Sequence, residues 1–142
     1  MKSVILQIAT KYIKWLLVTF ALIALLRGHN SPGGGFIGGL LVGLSVVFHS
    51  FTYYGAECVK RSLKIQPEAY IASGLLLILL STLPGLLLKQ SFMAGIWISV
   101  PMPLLGDFKI GTPFLFDIGV FMAVIGVTLL FFFTLNSIVR WK

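Results

Sequence analysis

The stretch RGHNSPGGGFIGG, residues 27–39, lies between two long apolar segments of the chain. The whole chain has 142 residues, of which 58% are apolar and 11% are charged, whereas about 25% of the residues of a typical soluble domain are charged. A soluble fold of this size could not bury so much apolar surface, and the composition therefore predicts an integral membrane protein. A polar, glycine-rich interruption in such a chain indicates where one helix ends and the next begins.

The residues of this stretch suit the two sides of a helical hairpin. Arg27 is a cation at the end of the first apolar segment, where it interacts favourably with a helix dipole, and Gly28 can close that helix. Ser31 is a good N-cap for the next helix. The sequence therefore predicts a tight, glycine-rich hairpin with the following turn and capping residues: Arg27, Gly28, Asn30, Ser31 and Pro32.

Four segments are long enough to cross a bilayer, which takes about 20 apolar residues. They are approximately residues 4–27, 33–54, 67–88 and 113–135. Helices are expected because backbone polar groups must be satisfied internally in lipid, and the period-2 alternation of barrel strands is absent. The predicted fold is an all-α integral membrane protein, with four transmembrane helices in a single domain, residues 1–142.

A further apolar segment, residues 92–105, is too short for a typical span. Pro101 and Pro103 would break a helix there. The prediction is an interfacial or re-entrant loop, or a cover for a neighbouring subunit, and a fifth span is the alternative.

The 11 lysine and arginine residues cluster at the ends of the apolar segments. With four spans, all of them except Arg27, Lys89 and Lys109 fall on one side of the membrane, so the positive-inside rule predicts that both termini are cytoplasmic. The first segment lacks a small-x-small cleavage site and is interpreted as a retained span rather than a signal peptide. Nucleic acid is not expected as a partner, because no basic face with interleaved aromatic residues is present.

Gly35, Gly39 and Gly43 recur every four residues and lie on one stripe of the second predicted helix. Small residues at this spacing let another helix approach closely. The stripe is interpreted either as packing inside this chain or as a docking face for another subunit. It is not a phosphate-binding loop, because the lysine and serine or threonine of that motif are missing.

Three ionisable residues are candidates for an ion route. Asp117 is the only carboxylate inside a predicted span, which indicates function, although a helix N-terminus also stabilises a carboxylate without any function. His29 could relay protons or form hydrogen bonds in the turn, and Lys14 could line the route or extend to the inner surface. One cysteine and two histidines are too few for a metal site at usable spacing. No cofactor is expected, and no enzymatic arrangement of nucleophile and base is present.

Residues 27–40 (RGHNSPGGGFIGGL) closely resemble the signature of the B subunit of the Mrp, or Mnh, multisubunit Na+/H+ antiporters. Residues 111–120 (GTPFLFDIGV) resemble the last helix of that family. The resemblance implies a multi-pass subunit of a secondary transporter in the bacterial plasma membrane. In that complex it would be surrounded by lipid and would work with the A, C, D, E, F and G subunits to exchange cytoplasmic Na+ for external H+.

The resemblance assigns no catalytic residue to such a subunit. From the residues themselves, we expect it to act mainly through assembly, with Phe36 and Gly39 as contact residues. Asp117, His29 and Lys14 would line part of an ion route at a subunit interface. The alternative is an autonomous small membrane transporter or a purely structural membrane scaffold.

Overall fold

The computed structural model describes residues 4–28, 33–53, 66–87, 95–102 and 106–139. These residues form four α-helices and a two-stranded antiparallel ribbon. In chain order the elements are α1 (Val4–Arg27), α2 (Gly34–Tyr53), α3 (Pro67–Leu87), β1 (Trp97–Met102), β2 (Gly106–Gly111) and α4 (Thr112–Val139).

All four helices are long and apolar enough to cross a membrane. The 20 residues of α2 extend about 30 Å, at roughly 1.5 Å per residue, which matches the hydrocarbon thickness of a bilayer. The predicted four-helix membrane fold is thereby confirmed. The helices follow the predicted segments closely, except that α4 continues beyond residue 135 to Val139.

Proline and an acidic residue mark the start of α3. Pro67 is its first residue and Glu68 lies in its first turn. Proline suits the first helical position because its missing N–H would have no partner there, and an acidic residue stabilises the positive end of the helix dipole. The Ala69 N–H donates to the Gln66 carbonyl at 2.9 Å, which closes the first turn.

The four helices pack in a row, in the order α1, α2, α4, α3. Helix α4 lies between α2 and α3, whereas α1 packs almost only on α2. The contacts of Gly35 with Asp117 and of Gly43 with Thr128 show that α2 and α4 run parallel. Each of these two helices is antiparallel to its other neighbour in the row.

The apolar core lies in the C-terminal halves of the two central helices. It consists of Val47, Ile125, Leu129 and Phe133, and Leu129 is only 1% exposed. Helix α1 contributes little to the interior, since its buried residues are Thr10 and Ala21. Most of the apolar surface of α1 is therefore free to contact lipid or another protein.

The segment predicted as a loop or a fifth span contains a strand instead. Trp97–Met102 pairs with Gly106–Gly111, from Trp97 opposite Gly111 to Met102 opposite Gly106. Aromatic and β-branched residues favour this conformation, and an edge strand tolerates Pro101, which has no N–H to donate. Residues 97–102 are therefore a strand and not a fifth spanning helix. The interfacial or re-entrant position of this segment, or its contact with a neighbouring subunit, stays a prediction.

The ribbon is joined directly to the start of α4. The Thr112 N–H donates to the Ile96 carbonyl at 3.0 Å, and the Thr112 Oγ1 accepts a hydrogen bond from the Ile96 N–H at 3.2 Å. The ladder between the two segments thus continues into the first residue of the helix. These two hydrogen bonds hold the ribbon in a fixed position relative to the start of α4.

The turn of the predicted hairpin, residues 29–32, lies outside the described residues, and so do His29, Asn30, Ser31 and Pro32. Both flanks of the turn are described. Arg27 ends α1, and the Gly28 N–H donates to the Ala24 carbonyl at 2.9 Å. Gly33 has a φ of 102°, a left-handed conformation that favours glycine. The tight hairpin itself stays a prediction.

Candidate functional site

The glycine stripe of α2 faces α4 of the same chain. A Cβ atom at Gly35 would overlap the Asp117 carbonyl, and one at Gly39 would lie 2.8 Å from the Phe121 carbonyl oxygen. The two helices therefore approach more closely than any side chain on the stripe would allow. Because α4 occupies it, the stripe of Gly35, Gly39 and Gly43 is not available as a free docking face.

A second row of glycines on α2 faces α1. A Cβ atom at Gly34 would overlap the Ala24 carbonyl, and one at Gly38 would lie 2.9 Å from the Ala21 carbonyl oxygen. The first two turns of α2 are therefore in backbone contact with a helix on each side. This close contact accounts for the density of glycine in the opening stretch.

Phe36 is the one proposed contact residue that faces away from these interfaces. It lies between the buried residues Gly35 and Gly38 in sequence, but its own side chain is 52% exposed. Of the residues assigned to packing or assembly, Phe36 therefore presents the surface that another molecule can reach. Its role in contacts outside the chain stays a prediction.

Asp117 lies where three helices meet. Its side chain is 7% exposed, its Oδ2 atom lies against Gly28 at the end of α1, and its carboxylate accepts a hydrogen bond from the Gly35 N–H. The first N–H groups of a helix have no partner within the helix. Asp117 of α4 thus supplies the acceptor that the N-terminus of α2 requires. We call Gly28, Gly34, Gly35 and Asp117 the Asp117 junction.

The Asp117 junction can perform few chemical functions. A buried carboxylate that accepts a backbone hydrogen bond at a helix N-terminus is stabilised electrostatically, and a carboxylate can also exchange a proton. Binding of a dehydrated cation requires several oxygen ligands. Within the described residues, no group of three or more histidine, cysteine, aspartate or glutamate residues could hold a metal ion.

The structure separates two of the three proposed ion-route residues, Lys14 and Asp117, and His29 lies outside the described residues. Lys14 is partly buried near the middle of α1, about 20 Å along the helix from Gly28 at roughly 1.5 Å per residue. Because Gly28 contacts Asp117, the two charged side chains lie at different depths. The positive charge of Lys14 acts instead on His49 of α2.

A polar cluster that the sequence interpretation missed connects the other ends of α1 and α2. Thr10 and Thr52 share a hydrogen bond of 2.8 Å between their hydroxyl groups, and the Tyr53 hydroxyl donates to the Gln7 carbonyl at 3.1 Å. The His49 ring lies 4.7 Å from the Tyr53 ring, centroid to centroid. We call these five residues the hydroxyl cluster. Its sequence signal is that polar residues recur where two antiparallel helices would place them opposite each other.

The sequence interpretation also missed a third close helix contact, between α3 and α4. A Cβ atom at Gly74 would lie 2.5 Å from the Ala123 nitrogen, and one at Gly119 would lie 2.8 Å from the Gly74 carbonyl oxygen. At Gly126 it would lie 2.7 Å from the Pro67 carbonyl oxygen. The available signal is the recurrence of Gly119, Ala123 and Gly126 on one face of α4.

Comparison with known proteins identifies the chain's family. Residues 5–130 match the family model described as a domain related to the MnhB subunit of Na+/H+ antiporters. The chain belongs to the MnhB family. The matched region contains α1 from its second residue, all of α2 and α3, the ribbon and most of α4. The Asp117 junction and all three glycine-mediated interfaces therefore lie within the family domain of a multi-pass membrane protein.

Several relatives of this MnhB-family chain are similar over nearly their full length. The B subunit of the Na(+)/H(+) antiporter of Bacillus subtilis (strain 168) is 32% identical over 127 residues, which cover 89% of this chain and 88% of that protein. The B subunit of the Alkalihalophilus pseudofirmus antiporter is 29% identical over 133 residues, 94% of this chain and 92% of that protein. A putative antiporter subunit mnhB2 of Staphylococcus haemolyticus is 31% identical over 125 residues, 88% of each chain.

Proposed function

We propose that this MnhB-family chain is a subunit of a multisubunit Na+/H+ antiporter and exchanges ions only as part of the whole complex. The observation that carries the proposal is the family match over residues 5–130. Relatives named as antiporter B subunits are matched over 88% and 92% of their own lengths. The chain therefore corresponds to nearly a whole subunit of that kind, which supports a role as a transporter component rather than an enzyme.

The polarity of the described helices supports a dependent role. Ion pathways through single proteins usually combine several intramembrane charges with broken helices. Asp117 is the only buried acidic side chain of the described helices. The buried hydroxyls of Ser45, Ser50 and Ser81 donate to carbonyl groups of their own helices, so each is satisfied without a transported ion. We infer that a complete route needs polar groups from other subunits.

The proposed partners are the A, C, D, E, F and G subunits of the complex, and the transported ions are Na+ and H+. We place the chain in the bacterial plasma membrane with both termini in the cytoplasm, as the distribution of its cations favours. Its contact surface with other subunits is proposed to include Phe36 and the outward side of α1. Both are exposed and apolar, as a lipid-embedded protein contact requires.

A complementation experiment tests the dependent role. Cells that lack their antiporters receive the complete set of subunit genes, the set without this chain, or this chain alone. Only the complete set is expected to restore growth in sodium and Na+/H+ exchange in membrane vesicles. Restoration by the chain alone would establish an autonomous transporter, and full exchange without the chain would leave at most a scaffold role.

The role of Asp117 has two candidates, a structural brace and a part of the ion route. The hydrogen bond from Gly35 favours the brace, because the carboxylate already has a partner within the fold. The test is Asp117→Asn in the whole complex, since asparagine keeps a side-chain oxygen that can accept this hydrogen bond. We expect normal assembly and exchange. Loss of exchange from a fully assembled complex would instead assign Asp117 to the route. His29 and Lys14 stay candidates for the route that this variant does not test.

A further inference from the structure

A cleft of ≈480 Å³ lies between α1 and α2, on a side of the pair that α4 does not cover. Its volume falls within the roughly 300–1,000 Å³ of protein sites that bind small molecules. The cleft exists because the two helix backbones are in contact at Gly34 and Ala24. Glycine and alanine have no large side chains that could fill the space beside this contact. Such a space in a membrane protein is filled by lipid or by another protein.

One stripe of each helix lines the cleft. The stripe of α1 contains Phe20, Ile23 and Arg27, and that of α2 contains Gly34, Ile37 and Leu41. Since these stripes cover about two turns, the cleft is about 10–12 Å long at roughly 1.5 Å per residue. Among the described residues that line it, the walls are apolar except at the end where Arg27 lies. It thus has one cationic end and one apolar body.

Arg27 is exposed as the last residue of α1. Among the side chains that the structure describes, no carboxylate forms an ion pair with it; the Asp117 carboxylate lies against Gly28, the next residue. A guanidinium group binds phosphate through several donors in a fixed plane. A long cationic side chain near the end of a transmembrane helix extends to the interface with the lipid headgroups.

We propose that this cleft binds one anionic phospholipid, with its phosphate at Arg27 and an acyl chain along Ile23 and Ile37. The combination of a cation and an apolar body matches a lipid with a negative headgroup. A partner helix is a poorer match, because a spanning helix would require a contact surface about 30 Å long. The proposal rests on the chain being a membrane protein and does not require the proposed transport function.

The test is photolabelling of this chain in membranes of cells that express the complete set of subunits. The probes are phosphatidylglycerol and phosphatidylcholine, each with the same photoreactive acyl chain, and the labelled peptides are identified by mass spectrometry. We expect phosphatidylglycerol to label the peptide around residues 20–41 at least five-fold more than phosphatidylcholine does. Arg27→Gln should remove this preference, and Arg27→Lys should keep part of it.

A matched pair of tryptophan variants separates cleft binding from general lipid contact. Ile37→Trp fills the cleft and should reduce labelling of this peptide by more than half. Phe48→Trp changes a residue of the same helix that is similarly exposed, at 50% against 54%, but does not line the cleft. It should leave the labelling unchanged. Only variants that reach the membrane at wild-type levels are compared.

Two results would overturn the proposal. Equal labelling by the two lipids in the wild-type chain would show that only bulk lipid contacts this surface. A photoreactive amino acid at position 37 that cross-links to another subunit would show that a protein occupies the cleft. Because the readout is lipid labelling and not transport, either result leaves the proposed function untouched, and a failure of the complementation experiment leaves this test intact.

Discussion

The two ends of α2 are held by different kinds of contact. From Gly34 to Gly43 the helix touches α1 and α4 through bare backbone. From His49 to Tyr53 it is held by side chains, through the hydrogen bonds of the hydroxyl cluster and an edge-to-face contact between Phe51 and Phe132 at 5.5 Å. The first end requires residues without side chains. The second end requires particular side chains that form hydrogen bonds or ring contacts.

This difference predicts unequal tolerance to mutation. A side chain added to a close-packed interface forces helices apart at a cost of about 1–3 kcal/mol or more. A side-chain hydrogen bond between membrane helices contributes only about 0.6 kcal/mol on average. We therefore expect the stability of the fold to depend mostly on the glycine end of α2.

Gly39→Leu should have the largest effect. A side chain there meets the Phe121 carbonyl oxygen and the Val124 Cβ atom, each 2.8 Å from the added Cβ, and the expected loss is about 3 kcal/mol or more. Folded protein, measured by fluorescence-detected size exclusion in detergent, should fall below a tenth of the wild-type amount. The control is Leu44→Ala on the exposed side of α2. Equal amounts of folded Gly39→Leu and Leu44→Ala protein would contradict the idea that the glycine end of α2 dominates the stability of the fold.

The same variant is a poor probe of subunit docking. Because Gly39 packs on α4 of its own chain, loss of assembly in Gly39→Leu follows from misfolding alone. A substitution at exposed Phe36 tests docking more directly.

Asp117→Leu should have the next largest effect, about 2 kcal/mol, because the Gly35 N–H at the buried junction loses its acceptor. Asp117→Asn should stay within about 1 kcal/mol of wild type, since an amide oxygen can replace the carboxylate. The measurement is the thermal midpoint of the purified complex. If the two variants were equally destabilised, the brace would depend on the negative charge and not on the hydrogen bond.

Gly119→Ala extends the comparison to the other side of α4, with an expected loss of about 1–2 kcal/mol. The added Cβ would lie 2.8 Å from the Gly74 carbonyl oxygen and from the Ile78 side chain. Unfolding in a denaturing detergent mixture measures the loss. Val127→Ala, at a residue 54% exposed on the same helix, serves as the control. A larger loss in the control would contradict the close contact between α3 and α4.

The smallest effect is expected at the hydroxyl cluster. Thr10→Val, Thr52→Val and the double variant form a cycle that isolates the hydrogen bond of 2.8 Å between these residues. The coupling energy should be about 0.6 kcal/mol. A coupling energy above about 2 kcal/mol would contradict the expected difference between the two ends of α2. The end with the hydroxyl cluster would then be held as strongly as the glycine end.

Much of the architecture could be predicted from the sequence, for reasons that are local. Apolar segments of about 20 residues predict spans because the bilayer has a fixed thickness, and Pro67 marks the start of α3 by its missing N–H. The ribbon could not be predicted in this way. Pro101 and Pro103 excluded a helix. Residues 97–102 form a strand, however, because they pair with Gly106–Gly111.

The candidate site was predictable only in part. The spacing of Gly35, Gly39 and Gly43 indicated a close helix contact, but no spacing rule indicates which helix makes it. Asp117 stood out because a carboxylate is rare at membrane depth. Its pairing with Gly35 could not be foreseen, because it joins the N-termini of two parallel helices that are far apart in sequence.

By itself, the sequence determined that this protein lies in lipid, how many times it spans the membrane and that one of its helices has a glycine-lined surface. Each of these depends on composition or on periodicity along one segment. Only the tertiary structure decided that α2 places this surface against α4 of the same chain and that Asp117 meets the end of α1 and the start of α2. In lipid, water does not drive apolar helices together, so hydrophobicity alone cannot order them. Their order in the row depends on which backbones can approach without side chains between them.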